Sequence, residues 1–458
     1  MIISRLLKPE EIGVLAVAAV FSNLASMFRD FGVAEYMIQE KNLTRQKIAA
    51  SLTLNIAVSW TMAAAMFIGA PFAAAFYNEV GVAAVMRVQA ICFLLVPFGA
   101  VTMAYFRREL NFQPVLICNI AGNVTGFVLS VVLAYQGFSY MSLAWASLAS
   151  LVVTVAGSMW YRPKDFPRWP GFQGVMEVFH FSKFASSMYL FGQLGKGAPE
   201  MIIGRAEGMA DVAMFSRSNG LIEMFQRMAL RPVMMVCMPY FAKSDREEGE
   251  IVAAYVKSVS YLTAVGWPFL AFMAIAAYSA IRIVYGPQWD QAVHLAQILS
   301  AAFALELVHA MSREAILARG DARRANALQI WMLIFQVAGL MAVVPWGITE
   351  AAWGVLGGTA LGVVVAQNYL RRVIGLSVPD MARACAPSLL LTMGACAPAA
   401  LWAWVSGVHL GNYIVFGLVG ALMTALAWLA MLKLTGHPLM QEVSSTAGRV
   451  LARFRPAR

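Results

Sequence analysis

The chain is 458 residues long, 60% of them hydrophobic, and only 13% are charged, against about 25% in an ordinary soluble domain. So little charge cannot cover a water-soluble globule of this size, which excludes a soluble enzyme, a nucleic-acid-binding domain and a secreted disulfide scaffold and leaves a polytopic membrane protein. The formal net charge of +10 is read as topology and attraction to anionic lipid, with no nucleic-acid partner.

Taken in chain order, residues 48–78, 110–161, 258–281, 325–349 and 384–432 contain no Asp, Glu, Lys or Arg. A helix needs about 20 residues to cross the hydrocarbon core, so 110–161 and 384–432 each hold two spans. Cutting at charged or Gly/Pro-rich turns predicts spans at 12–38, 48–74, 82–105, 112–135, 141–160, 177–204, 210–240, 252–284, 289–317, 325–346, 350–370, 384–405 and 411–432, after an apolar stub at 1–7. The longest linker, 161–176, is basic and Pro-rich and too short for a catalytic domain. Cys92, Cys118, Cys237, Cys385 and Cys396 fall in or beside apolar runs. There they serve as small hydrophobes, not as a disulfide framework or metal site.

Lys and Arg sort the linkers into two sets. Alternate linkers carry Lys41, Arg45 and Lys47; Arg107 and Arg108; Arg162, Lys164 and Arg168; Lys243 and Arg246; Arg313, Arg319, Arg323 and Arg324; and Arg371, Arg372 and Arg383. The tail adds Lys433, Arg449, Arg453, Arg455 and Arg458, whereas the opposite linkers hold only Arg5, Lys8, Arg205 and Arg282. The rich set and the C-terminus are therefore expected in the cytoplasm. Lys8 then lies outside, which requires a full helix before it, and Met1–Leu7 is too short. The first helix is expected to be truncated.

Met1-Ile-Ile-Ser-Arg5 recurs as Met201-Ile-Ile-Gly-Arg205, with Glu11 matched by Asp211. Each copy opens a six-helix set at the same topological position. The expected architecture is an all-α polytopic membrane protein of two six-helix lobes related by an internal repeat, plus two C-terminal helices. Its parts are an N-lobe at 1–160 with an incomplete first helix, a cytoplasmic inter-lobe linker at 161–176, a C-lobe at 177–373, two further helices within 384–432 and a basic cytoplasmic tail at 433–458.

Few ionisable groups lie within spans, where each costs about 2.5–3.5 kcal/mol on insertion scales and rarely faces lipid. They include Arg29, Asp30 and Glu35, then Arg87, Lys196 and Glu200, then Arg217, Glu223, Arg227 and Arg231, and finally Glu306 and His309. With Arg217 at 0°, a helical projection puts Glu223, Arg227 and Arg231 at about 240°, 280° and 320°, with Pro232 expected to bend the helix just beyond. One polar face on an apolar helix predicts a wet cavity, and an ion-pair network without ligand contact is the alternative. Arg29 and Lys196 join that set as substrate-binding candidates. Asp30, Glu200 and Glu306 are candidates for ion coupling. Glu306 and His309 could relay a proton or form a core pair near Arg313. There is no Walker loop, Gly-x-Ser-x-Gly elbow or HExxH motif, so no enzyme activity and no cofactor are expected, and an ion gradient, the membrane potential or the substrate gradient supplies the energy.

Ser4-Arg-Leu-Leu-Lys-Pro-Glu-Glu-Ile-Gly13, Asp30-Phe-Gly-Val-Ala34 and Met37-Ile-Gln-Glu-Lys-Asn-Leu-Thr44 closely resemble the Wzx-type oligosaccharide flippases. More narrowly they resemble the colanic-acid-exporter-like polysaccharide transporters of the multidrug/oligosaccharidyl-lipid/polysaccharide (MOP) superfamily. Arg108-Glu-Leu-Asn-Phe112, Ile202-Ile-Gly-Arg205, Pro239-Tyr-Phe241, Tyr285-Gly-Pro-Gln-Trp289 and Ala318-Arg-Gly-Asp321 follow in the family's order. The chain departs from the pattern with Glu200 for the usual Asp and Met214-Phe215 for an aromatic pair.

The resemblance implies a MATE/MurJ-like fold in the bacterial inner membrane. It implies transfer of undecaprenyl-diphosphate-linked oligosaccharide repeat units (O-antigen, capsule or exopolysaccharide) between leaflets by alternating access. Membrane lipids, a polysaccharide polymerase and glycosyltransferases are the further partners it implies. Bidentate guanidinium–phosphate bonding suits the Arg-rich face to a lipid diphosphate. The runner-up is a MATE-like drug/cation antiporter, which calls for an acidic cavity with few unpaired arginines.

Overall fold

The computed structural model describes residues 2–29, 33–164, 166–167, 169–247, 250–406 and 413–440, apart from the side chains of 2, 27–29, 35, 181–194, 196 and 406. Among these residues there is no strand, and the α-helices are α1 (Ile2–Leu6), α2 (Pro9–Arg29), α3 (Val33–Gln39), α4 (Arg45–Tyr77), α5 (Val80–Arg108), α6 (Phe112–Tyr135), α7 (Met141–Trp160), α8 (Val175–Ala206) and α9 (Met209–Phe225). They continue as α10 (Arg231–Glu247), α11 (Ile251–Ile275), α12 (Ala277–Val284), α13 (Ala292–Leu307), α14 (Ser312–Ala318), α15 (Ala322–Val343), α16 (Ile348–Val373), α17 (Val378–Ser406) and α18 (Tyr413–Leu434). The chain is an all-α polytopic membrane protein, and ten helices among the described residues are long and apolar enough to cross a bilayer.

Each apolar run becomes helix because helix alone satisfies backbone polar groups within one segment in lipid. The ends are set locally. Thr44 Oγ1 accepts from the Lys47 amide at 3.3 Å, Asp321 Oδ1 accepts from the Arg324 amide at 2.9 Å, and Asn78 closes α4 in the left-handed region with φ 52°. The predicted spans 112–135 and 141–160 coincide with α6 and α7. Four others are not single helices. The 12–38 span holds α2 and α3, the 252–284 span divides at Ala276, and the 289–317 span divides into α13 and α14. The 210–240 span divides around a π-helical turn at Gln226–Leu230.

Contacts divide the chain into two compact units, Met1–Ala213 and Met214–Arg458. In the first, α4 lies along α5 and α6 along α7, while α8 packs on α2, α3 and α4. Gly197 permits that approach, since a Cβ there would collide with Val20. At one end Lys47 Nζ binds Glu40 Oε1 at 2.9 Å and Glu177 Oε1 at 3.0 Å, and this ammonium holds the Glu40 carboxyl below the usual range. Arg108 Nη1 donates there to the carbonyls of Met37 at 2.7 Å and Glu40 at 2.5 Å. Ser139 Oγ donates to Glu11 Oε1 at 2.6 Å, joining the start of α2 to the α6–α7 turn. The Lys47 and Arg108 contacts join the α3–α4 turn to the last residue of α5 and the first turn of α8.

In the second unit α15 lies along α16, and α11 packs on α13 and α17. Arg319 pairs with Asp245 at 3.1 Å. Buried Ser260, Thr263, Ser388 and His437 tie α11 to α17 and to the turn after α18, through Thr263–Ser388 at 2.9 Å and Ser260–His437 at 3.0 Å. The internal repeat has a structural counterpart. The α1–α2 break (Leu6 to Pro9) and the α8–α9 break (Ala206 to Met209) fall at equivalent positions of the Met1 and Met201 copies.

Candidate functional site

The charged helix predicted at 210–240 contains two environments. Arg217, on α9, is enclosed. Its guanidinium lies over the rings of Tyr285 at 5.3 Å and Trp289 at 5.6 Å, and its Nε is buried with no hydrogen-bond partner among the described residues. Both rings are themselves buried.

The Tyr285–Trp289 segment forms this box for local reasons. Gly286 adopts φ 108°, a conformation that other residues rarely take. Pro287 then starts a one-turn 3₁₀-helix ending at Trp289. Arg282 clamps the turn with two bonds to Asp290, Nε to Oδ1 at 2.8 Å and Nη2 to Oδ2 at 2.5 Å. Ser218 Oγ donates at 2.8 Å to the carbonyls of Met214 and Ala292, docking α9 on the start of α13. Gly220 admits the Tyr285 hydroxyl, which would lie 3.0 Å from a Cβ there.

One turn later the helix opens to its surroundings. Glu223 Oε2 accepts from Arg227 Nη2 at 2.6 Å, with side chains 43% and 61% exposed, and Asn219 Nδ2 donates to the other carboxylate oxygen at 3.5 Å. Arg231 is also exposed. Its amide bonds to the Gln226 carbonyl, five residues back. The extra residue in this turn rotates α10 relative to α9. The projection that placed all four charges on one face therefore fails beyond Phe225. Arg227 and Arg231 stand among exposed methionines, Met224, Met228 and Met235, giving a surface that is cationic and apolar at once.

The other predicted residues are placed as follows. Asp30, with the side chains of Arg29 and Lys196, lies outside the described residues. Glu200 is half-buried on α8 beside Pro199. Glu306 is half-buried near the end of α13, and His309 is buried, its Nδ1 without a hydrogen-bond partner among the described residues. Arg87 is exposed, 5.7 Å from the Phe67 ring. Tyr285, Trp289 and the Arg282–Asp290 clamp were not predicted as site residues. Their only sequence signal is the Tyr-Gly-Pro-Gln-Trp run, in which a Gly-Pro turn carries an aromatic residue on each side.

The profile of the polysaccharide biosynthesis protein family matches residues 2–294. The teichuronic acid biosynthesis protein TuaB of Bacillus subtilis is 23% identical over 335 residues, 72% of this chain and 69% of that protein. The succinoglycan biosynthesis transport protein ExoT of Rhizobium meliloti is 24% identical over 300 residues, 64% of this chain and 59% of that protein. The lipopolysaccharide biosynthesis protein WzxC of Escherichia coli is 21% identical over 309 residues, 65% of this chain and 61% of that protein. The matched segments thus span about three fifths to two thirds of these relatives. Among solved structures, the lipid II flippase MurJ in an inward closed conformation is 8% identical with a TM-score of 0.74, covering 96% of each chain. An inward-facing multidrug resistance MATE family transporter of the MOP superfamily is 15% identical with a TM-score of 0.67, covering 82% of this chain and 92% of that one.

Proposed function

Because the chain belongs to the polysaccharide biosynthesis protein family, we propose that it is a transporter and not an enzyme, and that it moves undecaprenyl-diphosphate-linked oligosaccharide repeat units between the leaflets of the bacterial inner membrane. The observation that carries this reading is the α9–α10 surface, where exposed Arg227 and Arg231 stand among exposed Met224, Met228 and Met235. A lipid diphosphate presents the same two chemistries. Its oxygens match the bidentate donors of guanidinium, and adaptable methionine side chains suit a flexible polyprenyl stem. An antiporter for cations would find two exposed arginines against one paired carboxylate unfavourable.

The lobes of this transporter are 1–160 and 177–373, joined by the 161–176 linker and followed by the helices of 384–432 and a cytoplasmic C-terminus. Alternating access moves the head group, and Glu223 holds Arg227 until a phosphate replaces it. The test is export of repeat units in a flippase-null strain, with protein abundance measured beside it. Arg227→Lys is expected to impair export although the charge is kept, and Arg227→Ala to abolish it at normal abundance. Normal export by both Arg227→Ala and Arg231→Ala refutes the assignment.

A further inference from the structure

Helices α15 and α16 run antiparallel, and their contact changes along its length. Near the α15–α16 turn they touch backbone to backbone. A Cβ on Gly339 would collide with Gly354 O, one on Gly354 with Gly339 O, and one on Gly358 with Phe335 O. One turn further, at Gly362, the nearest atom of α15 is Met332 Cγ at 3.7 Å. Beyond that, at the opposite end of the pair, lies a cavity of about 300 Å³ lined by Arg324, Val365, Asn368, Tyr369 and Arg372.

The cavity is strongly cationic at its mouth. Arg324 pairs with Asp321 at 3.1 Å, its own side chain 55% exposed, and Arg372 is exposed, with no ion-pair partner among the described residues. Arg323 and Arg371 stand exposed at the same helix ends. Along the membrane-spanning part of the same two helices the outer surface is apolar, with Trp331, Ile334, Leu361 and Val364 each at least 44% exposed. A cavity with two guanidiniums and a tyrosine at the helix ends, continuous with an exposed apolar wall, has the polarity of an amphiphile with an anionic head.

We propose that the wedge between α15 and α16 binds an anionic phospholipid, its phosphate held by Arg324 and Arg372 with Asn368 and Tyr369 beside them, and its acyl chains lying on Ile334, Leu361 and Val364. The glycine contacts hold the other ends of the two helices together, and the cavity lies at the ends that carry Arg324 and Arg372. Basic pockets between helices are suited to such head groups. This site shares no residue or helix with the α9–α10 surface.

The experiment is native mass spectrometry of the full chain released from detergent containing equal phosphatidylglycerol and phosphatidylcholine. Retained phosphatidylglycerol is expected to exceed phosphatidylcholine roughly tenfold, and Arg324→Ala/Arg372→Ala to remove that preference, as two surface guanidiniums warrant. Val365→Trp, which fills the cavity and leaves every charge, is expected to remove it as well. Arg371→Ala, on the same helix end but outside the lining, is expected to retain it. Equal retention of both lipids by the natural chain overturns the proposal. So does an unchanged preference in Val365→Trp, or a loss in Arg371→Ala equal to that in the double variant, which would assign the effect to general surface charge. Displacement of phosphatidylglycerol by an equal concentration of soluble glycerol phosphate would identify a free-phosphate site and also overturn it.

Discussion

Arg217 and Arg227 look alike in sequence, yet their replacement should have opposite consequences. In Arg217→Ala the protein loses two cation–π contacts, at 5.3 Å to Tyr285 and 5.6 Å to Trp289. In a desolvated box these are worth about 1–2 kcal/mol each, and packing of the side-chain stem adds to the loss. Against this, removing the buried Nε that lacks a hydrogen-bond partner relieves about 1–3 kcal/mol of desolvation cost. The balance is a net loss of about 1–2 kcal/mol, which at about 2.1 cal/mol/K of unfolding entropy per residue lowers the Tm of a chain of 458 residues by about 1–2 °C. Arg227→Ala removes an ion pair whose partners are 61% and 43% exposed. Such pairs are worth at most a few tenths of a kcal/mol, so Tm should stay within error while export is lost. Thermal unfolding of both purified variants in the same detergent, beside an export assay, separates the two roles. Unchanged Tm in Arg217→Ala together with abolished export would refute the reasoning and make Arg217 a substrate contact.

Arg282→Ala unclamps the Tyr285–Trp289 turn from Asp290 and should lower Tm, modestly because the pair is partly exposed; an Arg282→Ala Tm equal to that of the natural chain argues against the clamp. Gly358→Leu, whose Cβ would meet the Phe335 carbonyl, should reduce folded protein in the membrane, since backbone cannot yield as a side-chain tip can; this is read as abundance by immunoblot. A cysteine at exposed Asn78, in a background lacking the five native cysteines, should react with an impermeant thiol reagent from outside only; labelling solely from the cytoplasmic side reverses the topology. Burial holds the His437 ring below its ordinary value of 6.5, so its contribution is fully present above that pH and is lost as the pH falls through the lower native value; stability measured against pH should decline below 6.5 in the natural chain and less in His437→Asn.

Hydropathy and charge by themselves determined the class, the helical runs and the alternation of basic linkers, because insertion into a bilayer acts on each stretch of about 20 residues locally. The recurrence of Met201-Ile-Ile-Gly-Arg205 assigned two stretches the same topological position, and in the structure each is followed by a helix break, between Leu6 and Pro9 and between Ala206 and Met209. Tertiary structure decided what each charge does. Arg217 meets rings that lie 68 and 72 positions further along the chain, and no window of sequence brings Tyr285 and Trp289 beside α9. The π-helical turn at Gln226–Leu230 re-aims Arg231, whereas a projection assumes one helical period throughout. The backbone contact of α15 with α16 follows from where glycines on two separate helices come opposite each other. Polarity is a property of the residue, whereas partnership depends on which distant elements pack together, and only the folded chain supplies that.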